Sequence, residues 1–324
     1  MTPLQMSYRI WPVVLLLQNL FILGAGFTLL VLSGDKLVET SIRIARYWKV
    51  PTSVVAVTII AAGTSAPELV TSFLAGYKGS SDISVGNVIG SNTFNILAVG
   101  GLSMIFNPRG LLSGTFVSWI VLAVATSLFY MSLTDLKIES AEATILMITL
   151  VAFIVLSFFR DRQPEETFEN LDNNGHLRTF IFFIFSFLGL IFGAELALKG
   201  GVALGQMAGL SERVIAITII SVGTGLPELA TSIAAAFRGH SEIALANVIG
   251  SNIFNTLAIP GVTASFYMLQ VDSSFIEFDF YVMAAATVSI LLIYASKNPS
   301  LRRATGVLMF VGYSAYALKL IFSL

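Results

Sequence analysis

The chain has 324 residues, of which 56% are hydrophobic and 11% are Asp, Glu, Lys or Arg, against the roughly 25% charged residues usual in soluble domains. Its 18 basic and 19 acidic residues leave a net charge of −1, and it contains no Cys. These figures argue against a soluble enzyme, a disordered chain, a disulfide scaffold or a thiolate metal site, and near-neutral charge offers no basic surface for nucleic acid.

A membrane helix needs about 20 mostly apolar residues. Runs of that kind predict ten spans, over 11–34, 51–77, 83–106, 112–132, 140–159, 179–204, 212–237, 243–268, 276–296 and 303–323. The first apolar run continues to Leu32 with no small-residue cleavage pattern, so it reads as a span rather than a cleaved signal. The longest polar stretch, Arg160 to Arg178, carries five acids without a period and reads as a loop. The expected fold is therefore an all-α polytopic membrane protein, with one five-helix unit over 1–159, a loop over 160–178 and a second five-helix unit over 179–324. Connections after odd-numbered spans hold 12 Lys and Arg, whereas the termini and the remaining connections hold 6. By the positive-inside rule, both termini lie outside a cell (inner) membrane and the 160–178 loop lies in the cytoplasm.

The two units are copies. AVTIIAAGTSAPELVTSFLAGYKGSSDISVGNVIGSNTFN at 56–95 and AITIISVGTGLPELATSIAAAFRGHSEIALANVIGSNIFN at 216–255 match at 23 of 40 positions, without a gap, at an offset of 160 residues. Five spans per copy is an odd number, so the second copy is inverted across the membrane. That is the plan of many secondary transporters, whose ion site lies at the repeat interface near the midplane. A channel could share the symmetry, but broken helices at mid-depth suit a site that opens alternately to each side.

Two acids fall deep inside predicted spans, Glu68 and Glu228, and they are equivalent at the repeat offset. A second equivalent pair, Asp35 and Glu195, reads as a cap or gate rather than a binding site. A carboxylate in hydrocarbon is costly unless it is paired, protonated or metal-bound. No Lys or Arg in either span lies near Glu68 or Glu228. A protonated acid bonded to a neighbouring helix would account for one such residue, but not for its duplicated polar surroundings.

Those surroundings are Gly63-Thr64-Ser65-Ala66-Pro67-Glu68 and Gly223-Thr224-Gly225-Leu226-Pro227-Glu228. Proline lacks an N–H and clashes with the carbonyl four residues earlier, here that of Gly63 or Gly223. A break of this kind frees carbonyl oxygens beside the Thr64, Ser65 and Thr224 hydroxyls and the carboxylates. The following span adds Asn87, Ser91 and Asn95 at helical spacing, and Asn247, Ser251 and Asn255 repeat the stripe. Asn92 and Asn252 point away from it, toward packing. An oxygen-only shell suits hard cations such as Ca²⁺ and Na⁺, and there is no His or Cys here for zinc or copper. Two carboxylates are neutralised by one Ca²⁺, two Na⁺ or two H⁺, which gives a physical basis for exchange and lets protons compete with the metal ions.

GTSAPE with GNVIGSNTFN, and GTGLPE with ANVIGSNIFN, resemble the alpha-repeats of the calcium/cation antiporter superfamily, most of all its prokaryotic sodium/calcium exchanger type. The resemblance covers the whole chain. It implies ten helices as two inverted five-helix repeats, external termini, a cytosolic loop and Na⁺-driven Ca²⁺ extrusion by alternating access. In that picture the first and sixth spans slide across a core made by the other eight. It further implies Glu68 and Glu228 as shared ligands, backbone or hydroxyl oxygen from Thr64 and Thr224, sodium sites helped by Ser91 and Ser251, and Asn95 and Asn255 at the centre. The ions are cargo, no cofactor is implied, the lipid bilayer is the surrounding partner, and a monomer is compatible with a sequence that does not set the oligomeric state. Two departures stand out. Gly225 replaces the Ser usual in the family, and Asn occupies both positions 95 and 255, where many relatives carry one Asp, which weakens any case for K⁺ cotransport. A Ca²⁺/H⁺ antiporter is the alternative reading, followed by a Ca²⁺-permeable channel.

Overall fold

In hydrocarbon every backbone polar group must be satisfied within its own segment, so apolar runs of this length fold as helices. A computed structural model describes residues 3–108, 116–160, 175–209, 219, 221–294, 296 and 298–322. In chain order the elements are α1 (Pro3–Trp48), α2 (Thr52–Thr64), α3 (Ala66–Tyr77), α4 (Ser81–Phe106), α5 (Phe116–Leu133), β1 (Lys137–Ile138), α6 (Ser140–Arg160) and α7 (His176–Met207). They continue with α8 (Ser221–Thr224), α9 (Leu226–Phe237), α10 (Ser241–Phe266), β2 (Leu269–Gln270), α11 (Phe280–Tyr294) and α12 (Pro299–Phe322). The strands form a two-residue antiparallel ribbon that ties the α5–α6 and α10–α11 connections, with Lys137 opposite Gln270 and Ile138 opposite Leu269.

Five of the described helices are long and apolar enough to cross a membrane, or six if α2 and α3, bent by 43° at their junction, count as one span. The chain is thus an all-α, multi-pass membrane protein. Most of the polar 160–178 stretch lies outside the described residues, as do the beginnings of the 112–132 and 212–237 spans and single residues near the ends of the last two.

The first helix departs from expectation. It does not end near residue 34 but runs to Trp48. Lys36, Glu39 and Arg43 resemble a charged connection, yet they fall at i,i+3 and i,i+4 and pair along the helix at 2.9 and 3.1 Å. The stop comes at Lys49, whose φ of 55° is left-handed, with the Val50 N–H bonded back to the Ala45 carbonyl at 3.0 Å, ahead of Pro51. Forty-six residues make a rod of about 69 Å, more than twice a hydrocarbon core of about 30 Å, so its polar end projects beyond the core.

Burial separates a centre from a periphery. The apolar windows of α10 and α4 are 94% and 78% buried, whereas those of α1, α6 and α7 are 11%, 28% and 33% buried and present apolar surface outward. The helices carrying the two Asn-Ser stripes are therefore the middle of the molecule. At the periphery α1 and α7 run antiparallel in close contact, Gly26 against Gly193 and Ala197, Gly189 against Ser33, and Gly200 against Leu23. Small residues allow this approach, as between other membrane helices.

The same device seats α10 on α2. A Cβ on Gly250 would lie 2.3 Å from the Val57 carbonyl oxygen, whereas one on its repeat counterpart Gly90 would meet no heavy atom within 4 Å. Gly250→Ala (G250A) should therefore destabilise the protein by about 1–3 kcal/mol, while Gly90→Ala (G90A) leaves it unchanged. Thermal unfolding of the purified protein in detergent checks this, and equal melting temperatures for the two variants would refute the packing.

Candidate functional site

Pro67 and Pro227 each sit in the first turn of a helix, where a missing N–H is tolerated. The chain breaks just before them, at Ser65 (φ −83°, ψ 3°) and Gly225 (φ −84°, ψ 3°), so different residues adopt one conformation at equivalent places. The backbone bonds spanning the breaks include Ser65 N–H to Ala61 C=O (3.0 Å), Leu69 N–H to Ser65 C=O (3.1 Å) and Leu229 N–H to Gly225 C=O (3.1 Å), and the Gly63 carbonyl, which the proline was expected to free, still accepts a backbone N–H at its break. Each break places a glutamate in the first turn of the next helix, Glu68 on α3 and Glu228 on α9, where the positive end of the helix dipole favours a carboxylate. α7 covers both breaks, with Phe187 against Gly63 and Leu198 against Gly223.

Glu68 and Glu228 are both 0% exposed and lie within electrostatic reach of each other. Ser65 Oγ donates to Glu228 Oε1 at 3.0 Å, across the repeat boundary. The remaining three carboxylate oxygens, both of Glu68 and Oε2 of Glu228, have no hydrogen-bond partner. Among the described residues neither carboxylate has a cationic partner, and no group of three His, Cys, Asp or Glu surrounds them.

Neutral oxygens converge on the same place. Thr64 is buried, its hydroxyl 3.5 Å from Asn247 Oδ1 and 3.4 Å from Ser251 Oγ on the other repeat. Thr224 is half-buried at the equivalent position. Asn87 is half-buried and braced, its Nδ2 donating to the Glu68 carbonyl (3.1 Å) and Ser72 Oγ (2.8 Å), while its Oδ1 accepts from Ser91 Oγ (3.3 Å). Asn247 Nδ2 donates to Ser232 Oγ at 3.1 Å, the same brace at the repeat offset. Asn95 and Asn255 are fully buried, and none of their amide atoms has a partner. Asn92 turns away and donates to Thr256 Oγ1 at 2.7 Å. Ser72 and Ser232 escaped the sequence reading, although Thr-Ser at 71–72 and 231–232 is identical in both copies and marked them.

The Asp35 and Glu195 pair stands apart from this centre. Asp35 bonds Arg238, and Glu195 bonds Lys199 at 2.6 Å.

One asymmetry divides the two carboxylates. Ser65 supplies a hydroxyl to Glu228, but its counterpart is Gly225, and the Phe94 ring occupies the space a side chain there would need, 2.6 Å from a built Cβ. Gly225→Ser (G225S) should therefore cost about 1–3 kcal/mol of stability through overpacking. Adding Phe94→Leu (F94L) should recover most of that loss and shift the Na⁺ titration of transport. Melting temperatures and Na⁺ titrations of the single and double variants check both points, and an unchanged titration in a stable double variant would deny the hydroxyl any part in ion binding.

Comparison with known proteins agrees over nearly the full length. The model of the sodium/calcium exchanger protein family matches residues 18–159 and 178–322. The putative antiporter CaxA of Alkalimonas amylolytica is 32% identical over 313 residues, which cover 93% of this chain and 98% of that protein. The sodium/calcium exchanger MaX1 of Methanosarcina acetivorans is 28% identical over 349 residues, covering 94% and 99%. The solved structure of the sodium-calcium exchanger NCX_Mj soaked with Na⁺ and Sr²⁺ superposes with a TM-score of 0.81 at 26% identity, covering 93% of this chain and 97% of that one.

Proposed function

The chain belongs to the sodium/calcium exchanger protein family and is a secondary active antiporter of Na⁺ and Ca²⁺ working by alternating access, not an enzyme; we propose that Glu68 and Glu228 are its shared ion ligands. The observation that carries this is the three carboxylate oxygens buried without a partner on two glutamates within electrostatic reach of each other. An arriving cation supplies what each of them lacks.

Thr64, Thr224, Ser65, Ser91, Ser251, Asn95 and Asn255 complete the shell with neutral oxygens, together with the second lone pairs of the Gly63 and Gly223 carbonyls beside the breaks. Asn87 and Asn247 hold its walls through Ser72 and Ser232. Two carboxylates and neutral oxygens make a site of charge −2, which one Ca²⁺ or two Na⁺ neutralise. A neutralised site crosses a low-dielectric barrier more cheaply than an empty charged one, so the transporter changes face when loaded and resists doing so when empty. Obligatory exchange follows from that difference.

The arrangement we infer around this site is ten spans in two inverted five-helix units, 1–159 and 179–324, joined by a 160–178 loop. The ungapped 160-residue offset and the antiparallel course of the equivalent helices α1 and α7 support it. The 12-to-6 distribution of Lys and Arg supports external termini and a cytoplasmic loop.

The test is uptake of radiolabelled Ca²⁺ into proteoliposomes loaded with Na⁺, with Na⁺, K⁺ and H⁺ gradients varied separately. Uptake should follow the outward Na⁺ gradient and ignore K⁺. Uptake that ignores Na⁺ and follows pH would instead indicate H⁺ coupling, and discrete single-channel currents would indicate a channel. Glu68→Gln (E68Q) and Glu228→Gln (E228Q) should each lower uptake about 100-fold or more, corresponding to the roughly 3 kcal/mol lost when one member of a buried charge pair is removed. Near-parent uptake by either variant, with protein present in the membrane, would reject the assigned site.

A further inference from the structure

Outside the ion site, one charged constellation is duplicated by the repeat but not in its contacts. Asp35 lies on α1 and Arg238 just after α9; their counterparts at the repeat offset are Glu195 on α7 and Lys78 just after α3. The Arg238 fork engages both oxygens of Asp35, Nε on Oδ1 and Nη2 on Oδ2 at 2.7 Å, tying α1 to the end of α9. The counterpart pair is apart. Glu195 bonds Lys199 one turn along its own helix at 2.6 Å, and Lys78 is exposed with no ion pair among the described residues.

The packing differs in the same sense. α1 lies against α9 so closely that a Cβ on Gly34 would come within 3.0 Å of the Ala230 carbonyl oxygen. The counterpart contact, α7 against α3, is at most marginal, and Val70, the counterpart of Ala230, is 56% exposed. α1 is thus closed on the core beside Asp35, and α7 is open toward α3 beside Glu195. The glycine contacts that join α1 to α7 put Ser33 level with Gly189 and Gly26 level with Ala197, so Glu195 stands about seven residues, or about 10 Å, along the rod from Asp35.

We propose that Asp35–Arg238 and Glu195–Lys78 are alternative latches, their carboxylates about 10 Å apart along this rod, only one of which closes at a time. α1 and α7 interlock backbone to backbone and move together, so a slide that carries Glu195 to Lys78 draws Asp35 off Arg238. The structure is then the state latched at Arg238 and open at α3, and the opposite state is latched at Lys78. The partners are half-exposed, which limits each latch to a few-fold effect on the equilibrium. That size biases the two states without trapping either, and leaves the choice to the bound ion. These roles rest on the inverted arrangement proposed above.

The chain has no Cys, so introduced pairs can be cross-linked without background. Asp35→Cys with Arg238→Cys, and Lys78→Cys with Glu195→Cys, would be treated in proteoliposomes with a short, reducible bifunctional thiol reagent. Both pairs should cross-link, each blocking Ca²⁺ uptake until reductant is added. In the four-Cys variant, closing one pair should prevent closure of the other. In the background of the first pair, Lys78→Glu (K78E) should raise cross-linking yield a few-fold, and adding Glu195→Lys (E195K) should restore it. Failure of the 78–195 pair to cross-link under any ion condition, or closure of both pairs in one molecule, would overturn the latches. Loss of Na⁺ coupling in the Cys-free parent would instead count against the exchange reading, and it is measured first and separately.

Discussion

A carboxylate oxygen removed from water without a partner is among the costliest groups a membrane protein can hold, at about 3 kcal/mol or more for an acid at mid-depth. Three such oxygens belong to Glu68 and Glu228, which lie within electrostatic reach of each other. Under the proposed role of these acids as ion ligands, the nearby architecture accommodates that cost until an ion arrives. The breaks at Ser65 and Gly225 create two helix N-termini inside the protein, and each directs its dipole at one glutamate. The most buried helices, α4 and α10, surround the pair with amide and hydroxyl oxygens instead of cations. A lysine there would satisfy the acids permanently and leave nothing for a transported ion to do.

Duplication makes the centre nearly symmetric, and the exceptions show where the two halves part. The brace from Asn87 to Ser72 recurs from Asn247 to Ser232 with similar geometry. The Ser65 hydroxyl does not recur, and Phe94, which packs on Gly225, also makes an edge contact with Tyr313 on α12 at 5.3 Å between centroids. The environment of Glu68 is thus filled by aromatic packing where that of Glu228 holds a hydrogen bond. Two carboxylates equivalent in sequence are therefore inequivalent in chemistry, and an ion occupying both meets a lopsided shell.

What was legible in the sequence was whatever depends on local chemistry repeated. Pro67 and Pro227 announce breaks because a missing N–H acts wherever the residue lies, and the 160-residue offset turns each isolated observation into a pair. Long-range packing left no such mark. Phe187 over Gly63 and Leu198 over Gly223 come from a helix outside the matched segments. Ser72 and Ser232 were visible as identities, but only the fold brings them beside Asn87 and Asn247. The extension of α1 past residue 34 was hidden because Lys36, Glu39 and Arg43 look alike in a connection and in a helix, and only their mutual pairing distinguishes the two.

The distribution of burial links the site to its motion. A transporter that alternates needs a fixed set of ligands and a moving barrier, and these demands conflict if one set of helices serves both. Here they are divided. α4 and α10 are held on nearly every side, and Gly250 sits so close to Val57 that little displacement is available. α1 and α7 are bound tightly to each other through glycine; beyond that pair α1 packs on α9 and α7 lies over the two breaks, while most of their apolar windows face outward. Lipid is a fluid neighbour that resists sliding far less than an interlocked core does. The pair that covers both breaks is also a pair with much outward-facing surface, and a shift along its own axis would uncover one side of Glu68 and Glu228 while leaving in place the oxygens proposed to hold the ion.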